Sequence, residues 1–367
     1  MRDQCAHWSW QSPNFSGRFV RAFVRFTYNP EYLGDCHVAS LLAMTDNLQR
    51  TLSNNNLSIH PNRFLCQNFL HCRLQKATIE RNISFLILIP VSDSGAEALR
   101  RGNIEMRQLM ENRFLLTRED LRIPCIAASP DSGEIQRIVL GVHGFGGSMT
   151  DPIQVALAEE MVLFSSASFR FDFPAHGESP MAGKDFTVQN CVRSLVAVAR
   201  HARELYPQVE NLCIFATGFG AYVTLVALPE LLELPGQVRL VVQTPSVQMH
   251  KSLLSMLNIS RETLRSMDSI TIPTPRPLTV TYRFYRELED NIVFGPQPSP
   301  MLILHGERDS YISQEDIRGF RALNEDSRLV IIPGASHRFL EDGAWDMVLD
   351  LTRDWFEFQQ VLLMDWD

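Results

Sequence analysis

From residue 112 to the C-terminus, short apolar segments alternate with amphipathic ones, and this alternation constrains the fold more than any other feature of the sequence. Ile135–Val142 is almost continuously apolar, as expected for a strand that is buried on both faces of a sheet. Between Val188 and Ala199, apolar residues recur at the spacing of one helix face. Strands that alternate with crossover helices form a mainly parallel sheet flanked by helices. The sequence therefore predicts an α/β fold.

The same pattern predicts further elements along this part of the chain. The expected strands are Arg113–Thr117, Leu121–Ala127, Ala167–Phe171, Leu212–Thr217, Arg239–Gln243, Pro300–Gly306 and Leu329–Pro333. The expected helices begin at Pro152, with Asp151 as its N-cap, and at Ser313, and include Phe219–Leu232 and the segment around Trp345–Phe356. In such a sheet, ligands bind beyond the carboxyl ends of the strands. We therefore expect chemistry in the loops that follow them.

Composition excludes several classes of protein. The chain is 45% hydrophobic and 21% charged, which rules out collagen-like, coiled-coil and wholly disordered chains. Its net charge of −8 argues against a nucleic-acid binder, because such a protein needs a basic face. The 7 cysteines are an odd number without regular spacing, so we expect reduced thiols and no disulfide framework.

The N-terminal part of the chain differs from the rest. Residues 1–105 carry a net charge of +3, whereas residues 106–367 carry −11. Phe19–Phe26 and Phe85–Ile89 are candidate strands and Ala39–Leu48 is a candidate helix, but no regular rhythm joins them. We expect residues 1–105 to be an extension, either poorly ordered or produced by a start codon assigned too early. A small accessory domain is the alternative for this region. On either interpretation, we expect residues 106–367 to form one domain.

The sequence contains no recognisable targeting segment or cofactor motif. Its first residues lack the apolar core, roughly 7–15 residues long, of a signal peptide. The longest apolar run, Ile83–Val91, is shorter than the ~20 residues that span a bilayer. The nearest approach to a set of metal ligands is His60, Cys66, His71 and Cys72. Their spacings match no common zinc pattern, so we expect a cytoplasmic protein with no metal, no organic cofactor and no membrane partner.

Three loops at predicted strand ends carry candidate functional residues. After Ile135–Val142 comes His143-Gly144-Phe145-Gly146-Gly147-Ser148, whose glycines allow backbone N–H groups to approach developing negative charge. Asp309 follows the strand before the last, and His337 follows the last strand. An acid and then a histidine at successive strand ends follow the order of the last two members of a hydrolytic triad whose nucleophile comes first.

On these motifs, residues 112–361 resemble an α/β-hydrolase of the esterase and serine-aminopeptidase-like kind. The matching segments are His143-Gly144-Phe145-Gly146-Gly147, Phe171-Asp172-Phe173-Pro174-Ala175-His176-Gly177-Glu178-Ser179, His305-Gly306-Glu307-Arg308-Asp309 and Gly334-Ala335-Ser336-His337. The resemblance implies an α/β-hydrolase fold with a lid insertion at about residues 245–299. It also implies that His337 is the base, that Asp309 orients it, and that the N–H groups of Phe145 and Phe219 form an oxyanion hole.

The serine nucleophile of that family is absent here. The family's elbow reads Gly-x-Ser-x-Gly, and the aligned stretch is Ala216-Thr217-Gly218-Phe219-Gly220. Gly218 therefore occupies the nucleophile position, where a strained turn with positive φ suits glycine. Two nearby hydroxyls are poor substitutes, because Thr217 lies one residue early and Ser148 lies just past the oxyanion loop.

Two functions remain open after this departure from the family pattern. In the first, the chain hydrolyses a carboxylic ester or amide and the retained histidine activates a water molecule. In the second, it is a non-catalytic relative that binds a small ligand or a protein partner in the retained pocket. The insertion is rich in Met, Leu and aromatic residues and is interrupted by Pro273, Pro275 and Pro277. Its apolar content favours an apolar or aromatic acyl group.

Overall fold

The computed structural model describes residues 18–27, 82–91, 109–131 and 133–358, and the chain divides into two compact units, Met1–Arg107 and Gln108–Asp367. In the first unit, strands β1 (Arg18–Thr27) and β2 (Asn82–Val91) form an antiparallel pair. They coincide with the two candidate strands of this region. The candidate helix at residues 39–48 lies outside the described residues, and the interpretation of residues 1–105 as an extension stays a prediction.

The second unit alternates strands and helices along the chain, as the sequence predicts. In chain order its elements are β3 (Leu109–Arg118), β4 (Leu121–Pro130), β5 (Arg137–Val142), α1 (Pro152–Leu163), β6 (Ser166–Phe171), α2 (Val188–Leu205), β7 (Asn211–Thr217), α3 (Gly218–Leu232), β8 (Gln237–Gln243), α4 (Met249–Leu257), α5 (Arg261–Met267), β9 (Ser269–Ile272), β10 (Leu278–Thr281), α6 (Tyr282–Asp290), β11 (Met301–Gly306), α7 (Gln314–Ala322), β12 (Arg328–Ile332) and α8 (Ala344–Phe358). Helix α1 begins at the predicted proline, and Ser313 caps α7 by accepting a hydrogen bond from the amide of Asp316.

Eight strands form one mixed sheet in the order β12-β11-β8-β7-β5-β6-β4-β3. Strand β4 runs antiparallel to both of its neighbours, β3 and β6. The remaining pairs are parallel. The predicted α/β architecture, a mainly parallel sheet flanked by helices, is confirmed.

Each face of the sheet carries its own apolar cluster, because successive side chains along a strand point to opposite faces. On one face, Leu140 and Ile214 belong to a cluster that includes side chains of α2, α3 and α6. On the other face, Val139 and Phe215 pack with side chains of α1 and α8. All four side chains are fully buried. Burial on both faces explains why β5 and β7 are continuous apolar runs in the sequence.

The predicted insertion at residues 245–299 contains α4, α5 and α6 and also a hairpin that the sequence does not predict. In this hairpin, β9 and β10 pair antiparallel from Leu278–Ile272 to Thr281–Ser269. The three prolines, which the sequence pattern marks as breaks, lie in the turn between the two strands. Proline is tolerated there because no sheet partner needs its missing N–H group.

The strand order places two loops side by side at the carboxyl edge of the sheet. After β5 the chain passes to β6 on one side and later returns to β7 on the other side of β5. Such a reversal leaves a crevice between the two loops that follow the diverging strands. The glycine-rich loop after β5 and the turn between β7 and α3 border this crevice.

Gly220 sets how closely α3 approaches β5. A Cβ atom built on Gly220 would lie 2.3 Å from the carbonyl oxygen of His143 and 2.8 Å from that of Val142. These backbone atoms cannot move aside cheaply, so we expect Gly220→Ala to lower the free energy of unfolding by about 2–3 kcal/mol. Chemical denaturation followed by circular dichroism measures the change. Gly295→Ala is the matched control, because a Cβ there meets nothing within 4 Å. Equal stability of the two variants would contradict the close approach.

Candidate active site

The predicted acid and base lie in hydrogen-bond contact. His337 Nδ1 is 2.8 Å from Asp309 Oδ2. The other carboxylate oxygen accepts hydrogen bonds from the backbone amides of Tyr311 and Ile312, at 2.8 and 3.0 Å. The carboxylate is fully buried, whereas 27% of the histidine side chain is exposed. The pair therefore presents an accessible imidazole on a fixed, buried carboxylate.

Asp309 is held in its charged form. Burial raises the pKa of this carboxyl, but the hydrogen bond and charge of His337 and the two backbone amides outweigh burial, and the net pKa is lowered. A carboxylate only accepts hydrogen bonds, so Nδ1 of His337 carries the proton that joins the pair. With the proton on Nδ1, Nε2 is the ring nitrogen that can accept a proton.

Backbone contacts between the loops after β11 and β12 fix this pair. A Cβ atom on Gly306 would lie 2.5 Å from the carbonyl oxygen of Ala335. The amide of Arg308 donates to that same oxygen at 2.8 Å, and the amide of Gly334 donates to the Glu307 carboxylate at 2.7 Å. The two loops are therefore joined directly before the acid in one loop and shortly before the histidine in the other.

The loop after β12 and the segment that follows β5 lie at the same edge of the sheet, because β5 and β12 run parallel in it. Burial raises the pKa of Asp151, the residue before α1, while the charge of Arg338 acts to lower it. Arg338 is the neighbour of His337 in the chain. The histidine loop and the glycine-rich loop thus belong to the same edge of the sheet.

The turn between β7 and α3 contains Gly218 at a left-handed backbone conformation, with φ of +50°. A Cβ atom built on Gly218 meets nothing within 4 Å, so the space beside the turn is open. Ala216, two residues earlier, is fully buried. The turn thus has the positive φ that an elbow requires, with open space where a nucleophile side chain would start.

Phe145 and Phe219, the two residues predicted to supply oxyanion donors, lie next to each other. Their rings meet edge to face with centroids 5.8 Å apart. Phe219 is the second residue of α3, and the first N–H groups of a helix have no partner within it. Phe145 lies in the glycine-rich loop and is half-buried.

These two residues belong to an aromatic cluster that sequence reasoning does not predict. Its phenylalanines are Phe145, Phe173, Phe186, Phe219 and Phe284, from four loops and helices. Phe186 and Phe284 stack with centroids 4.3 Å apart, which joins α6 of the insertion to the sheet edge. The sequence signal for it is that Phe145, Phe173 and Phe219 each follow a predicted strand within three residues.

Two buried histidines, His143 and His176, complete the cluster. The amide of Phe173 donates to His143 Nε2 at 3.1 Å, so His143 Nδ1 carries the proton and donates to the Gly144 carbonyl at 2.8 Å. Burial lowers the pKa of His143 to about 4. Burial and then the nearby His143 lower the pKa of His176 to about 3. Both rings are therefore neutral near pH 7.

The alternative nucleophiles have other contacts. The Thr217 hydroxyl donates to the Val142 carbonyl at 3.5 Å. Ser148 Oγ lies 2.9 Å from the Thr150 hydroxyl and 3.4 Å from Asp151 Oδ1. Each hydroxyl therefore has a hydrogen-bond partner in β5 or in the loop that follows β5, and neither is hydrogen-bonded to His337.

The four candidate zinc ligands, residues 60, 66, 71 and 72, lie outside the described residues. Within the part of the chain that the structure describes, no group of three or more His, Cys, Asp or Glu side chains is arranged to hold a metal ion. Cys125, Cys191 and Cys213 are free and buried. Among the described residues, no helix is both long enough and apolar enough to cross a membrane.

The pKa values of the two cluster histidines predict a pH-dependent stability. Because both pKa values are lower in the folded state, the unfolded chain binds protons first, and stability falls as the pH drops below ~6.5. Each histidine should lower the free energy of unfolding by about 2 kcal/mol between pH 7 and pH 5.

His176→Asn tests this pH dependence and keeps a donor for the Pro174 carbonyl, which accepts from His176 Nδ1 at 2.9 Å. We expect this variant to be less stable than the parent at pH 7 but to lose about 2 kcal/mol less on acidification, as denaturant titrations at the two pH values measure. An identical pH dependence in the two proteins would contradict the assignment.

Comparison with known proteins identifies the fold. No protein-family model matches the chain, and no curated protein matches it in sequence. A putative hydrolase from Agrobacterium vitis S4 aligns with 67% of this chain and 98% of its own, at 19% identity and a TM-score of 0.58. Est1E from Butyrivibrio proteoclasticus, with ferulic acid bound, aligns with 68% and 100%, at 18% identity and a TM-score of 0.59.

A mammalian structure is also similar. Alpha/beta hydrolase domain-containing protein 10 from mouse aligns with 68% of this chain and all of its own, at 18% identity and a TM-score of 0.54. At these identities the likeness concerns the fold. The second unit of this protein therefore has an α/β-hydrolase fold.

Proposed function

We propose that this protein hydrolyses carboxylic esters or amides of small molecules, with His337 as the general base that activates a water molecule. The observation that carries the proposal is the 2.8 Å contact between His337 and a fully buried Asp309 carboxylate. A buried carboxylate is costly unless it is paired and hydrogen-bonded. Such a pair, with the second imidazole nitrogen free, is the arrangement that a general base needs.

The space beside Gly218 supports the water-based route. Where a serine side chain would begin, nothing lies within 4 Å of the built Cβ position. A water molecule there would take the place of the missing hydroxyl oxygen. The proton that it loses on attack would pass to Nε2 of His337, and Asp309 would stabilise the resulting imidazolium.

The proposed oxyanion donors are the N–H groups of Phe145 and Phe219. When the water oxygen bonds to the acyl carbon, the carbonyl oxygen becomes negative, and backbone dipoles in a dry site stabilise that charge. Collapse of the tetrahedral intermediate breaks the bond to the leaving group. The leaving alcohol or amine then takes the proton from His337, which restores the neutral base and gives a carboxylic acid.

The absence of the serine sets the expected rate. Removing the nucleophile from a serine hydrolase lowers kcat by roughly 10⁶-fold, and about 10³–10⁴-fold acceleration over water remains from the oxyanion hole and binding. We therefore expect slow turnover. A substrate with a good leaving group is the appropriate probe.

The proposed substrate carries an apolar or aromatic acyl group. The aromatic cluster lies beside the proposed oxyanion residues, and Phe284 brings α6 of the insertion into it. Est1E binds ferulic acid, a small aromatic acid. By analogy with that neighbour, we expect aromatic acyl esters to be preferred over short aliphatic ones.

The second candidate function is ligand binding without catalysis. Gly218 favours it, because it removes the atom that attacks the substrate in the family that the sequence resembles. In this case His337 and Asp309 hydrogen-bond a ligand, and the open space beside Gly218 accommodates part of it.

Turnover of an aryl ester by the full chain separates the two functions. We expect the parent to hydrolyse a p-nitrophenyl ester slowly and His337→Ala to lose at least about tenfold of that rate, because the base is gone. Gly218→Ser should gain a covalent acyl-enzyme, detected by intact-protein mass spectrometry. Arg265→Ala, an exposed change on α5, is the control and should keep the parent rate.

Two outcomes would overturn the proposal that His337 activates a water molecule for hydrolysis. One is a parent rate equal to that of His337→Ala, which leaves only the binding function. The other is labelling of the parent by a serine-directed fluorophosphonate, which would show a nucleophile elsewhere in the chain.

The role of Asp309 predicts a further loss in the Gly218→Ser background. Asp309→Asn retains the shape of the side chain but removes the charge that orients and stabilises the His337 imidazolium. We expect the acylation rate constant to fall about 10³–10⁴-fold, as stopped-flow release of p-nitrophenol measures. Asp316→Asn, on the neighbouring helix α7, should change it by less than about twofold. A similar rate for both variants would rule out Asp309 as the orienting acid.

A further inference from the structure

The tip of the β9–β10 hairpin, residues 273–277, contacts the loop that carries Phe145. A Cβ atom built on Gly146 would lie 2.5 Å from Cγ2 of Thr274. Gly146 has φ of +70° and directly follows Phe145 in the chain. The hairpin tip therefore lies against the oxyanion loop at the residue next to the proposed donor.

Arg276 holds the tip to a second loop. Its Nη1 donates to the carbonyl oxygens of His176, Gly177 and Ser179, at 3.2, 3.1 and 2.6 Å. These carbonyls belong to the loop between β6 and α2. Hydrogen bonds from a charged donor are roughly twice as strong as neutral ones, so a single side chain ties the insertion firmly to the sheet edge.

Three prolines make the tip stiff enough to connect these two contacts. Pro273, Pro275 and Pro277 alternate with Thr274 and Arg276. Proline fixes its own φ and restricts the residue before it. The Thr274 hydroxyl also donates to the carbonyl of Arg276. The position of Arg276 therefore determines the position of Thr274.

The loop that Arg276 holds also packs on the oxyanion loop. The His176 ring lies with its centroid 5.1 Å from that of His143 and 6.2 Å from that of Phe145. The oxyanion loop thus contacts both Thr274 and the His176 ring, and Arg276 is hydrogen-bonded to each of these two residues.

We propose that the hairpin tip clamps the oxyanion loop and that Arg276 is a positioning residue for the N–H group of Phe145. Arg276 transfers no proton and acts through Thr274 and the β6–α2 loop. The catalytic consequence rests on the proposed function, whereas the clamp itself is a property of the loop that is measured without substrate.

Hydrogen exchange of the full chain tests the clamp. In Arg276→Ala, we expect amides of residues 143–150 to exchange at least about tenfold faster than in the parent, with β3 and β4 unchanged, because only the local restraint is lost. Arg283→Ala is the matched control, since this arginine lies on α6 with its side chain 76% exposed. Unchanged exchange at residues 143–150, or equally faster exchange throughout the unit, overturns the clamp.

Acylation in the Gly218→Ser background tests the positioning role. Adding Arg276→Ala should slow acylation by p-nitrophenyl acetate at least about tenfold with little change in KM. Millimolar guanidinium should restore part of the rate, which a purely structural loss would not allow.

If exchange increases but the acylation rate does not change, the positioning role is wrong. If Gly218→Ser itself forms no acyl-enzyme, the catalytic part of this proposal fails with the proposed function, and hydrogen exchange alone decides the clamp.

Discussion

The geometry of the sheet edge depends on the close approach of α3 to the end of β5 at Gly220. A side chain there would collide with the carbonyl oxygens of Val142 and His143. The approach brings the first N–H groups of α3 beside the glycine-rich loop, so that Phe145 and Phe219 become neighbours although they lie far apart in the chain. The loop after β8 joins the same edge, because the amide of Ser246 donates to the Gly218 carbonyl at 3.2 Å.

The sheet and the pairing of Asp309 with His337 could be predicted from the sequence, and the hairpin could not. Strands such as β5 are buried on both faces, which leaves a continuous apolar run, and residues at successive parallel strand ends meet at one edge. Strands β9 and β10 are four residues each, too short for a periodic signal. Arg276 escaped prediction for a different reason, since its partners are backbone carbonyls and carry no residue-type pattern.

Burial at this edge of the sheet favours the neutral forms of several ionisable side chains, which leaves backbone dipoles to act on a nearby charge. Burial lowers the pKa values of His143 and His176 and raises that of Asp172, which moves all three groups toward their neutral forms. Asp309 shifts the other way, toward its charged form. Where burial favours the neutral forms of ionisable groups, backbone N–H groups act on a nearby anion with less screening than in solution. The aromatic cluster therefore contributes to the electrostatics of the edge as well as to its packing.

The left-handed backbone at Gly218 has a consequence for how such a protein evolves. A residue with a side chain costs about 1–2 kcal/mol in this conformation, and glycine removes most of that cost. Replacing a nucleophile by glycine at an elbow therefore makes the fold more stable while it removes the chemistry. Selection for stability alone would retain glycine here, and only a benefit from catalysis would favour the strained alternative. Because a Cβ atom at Gly218 would enter open space, the backbone conformation is the main cost of a side chain there.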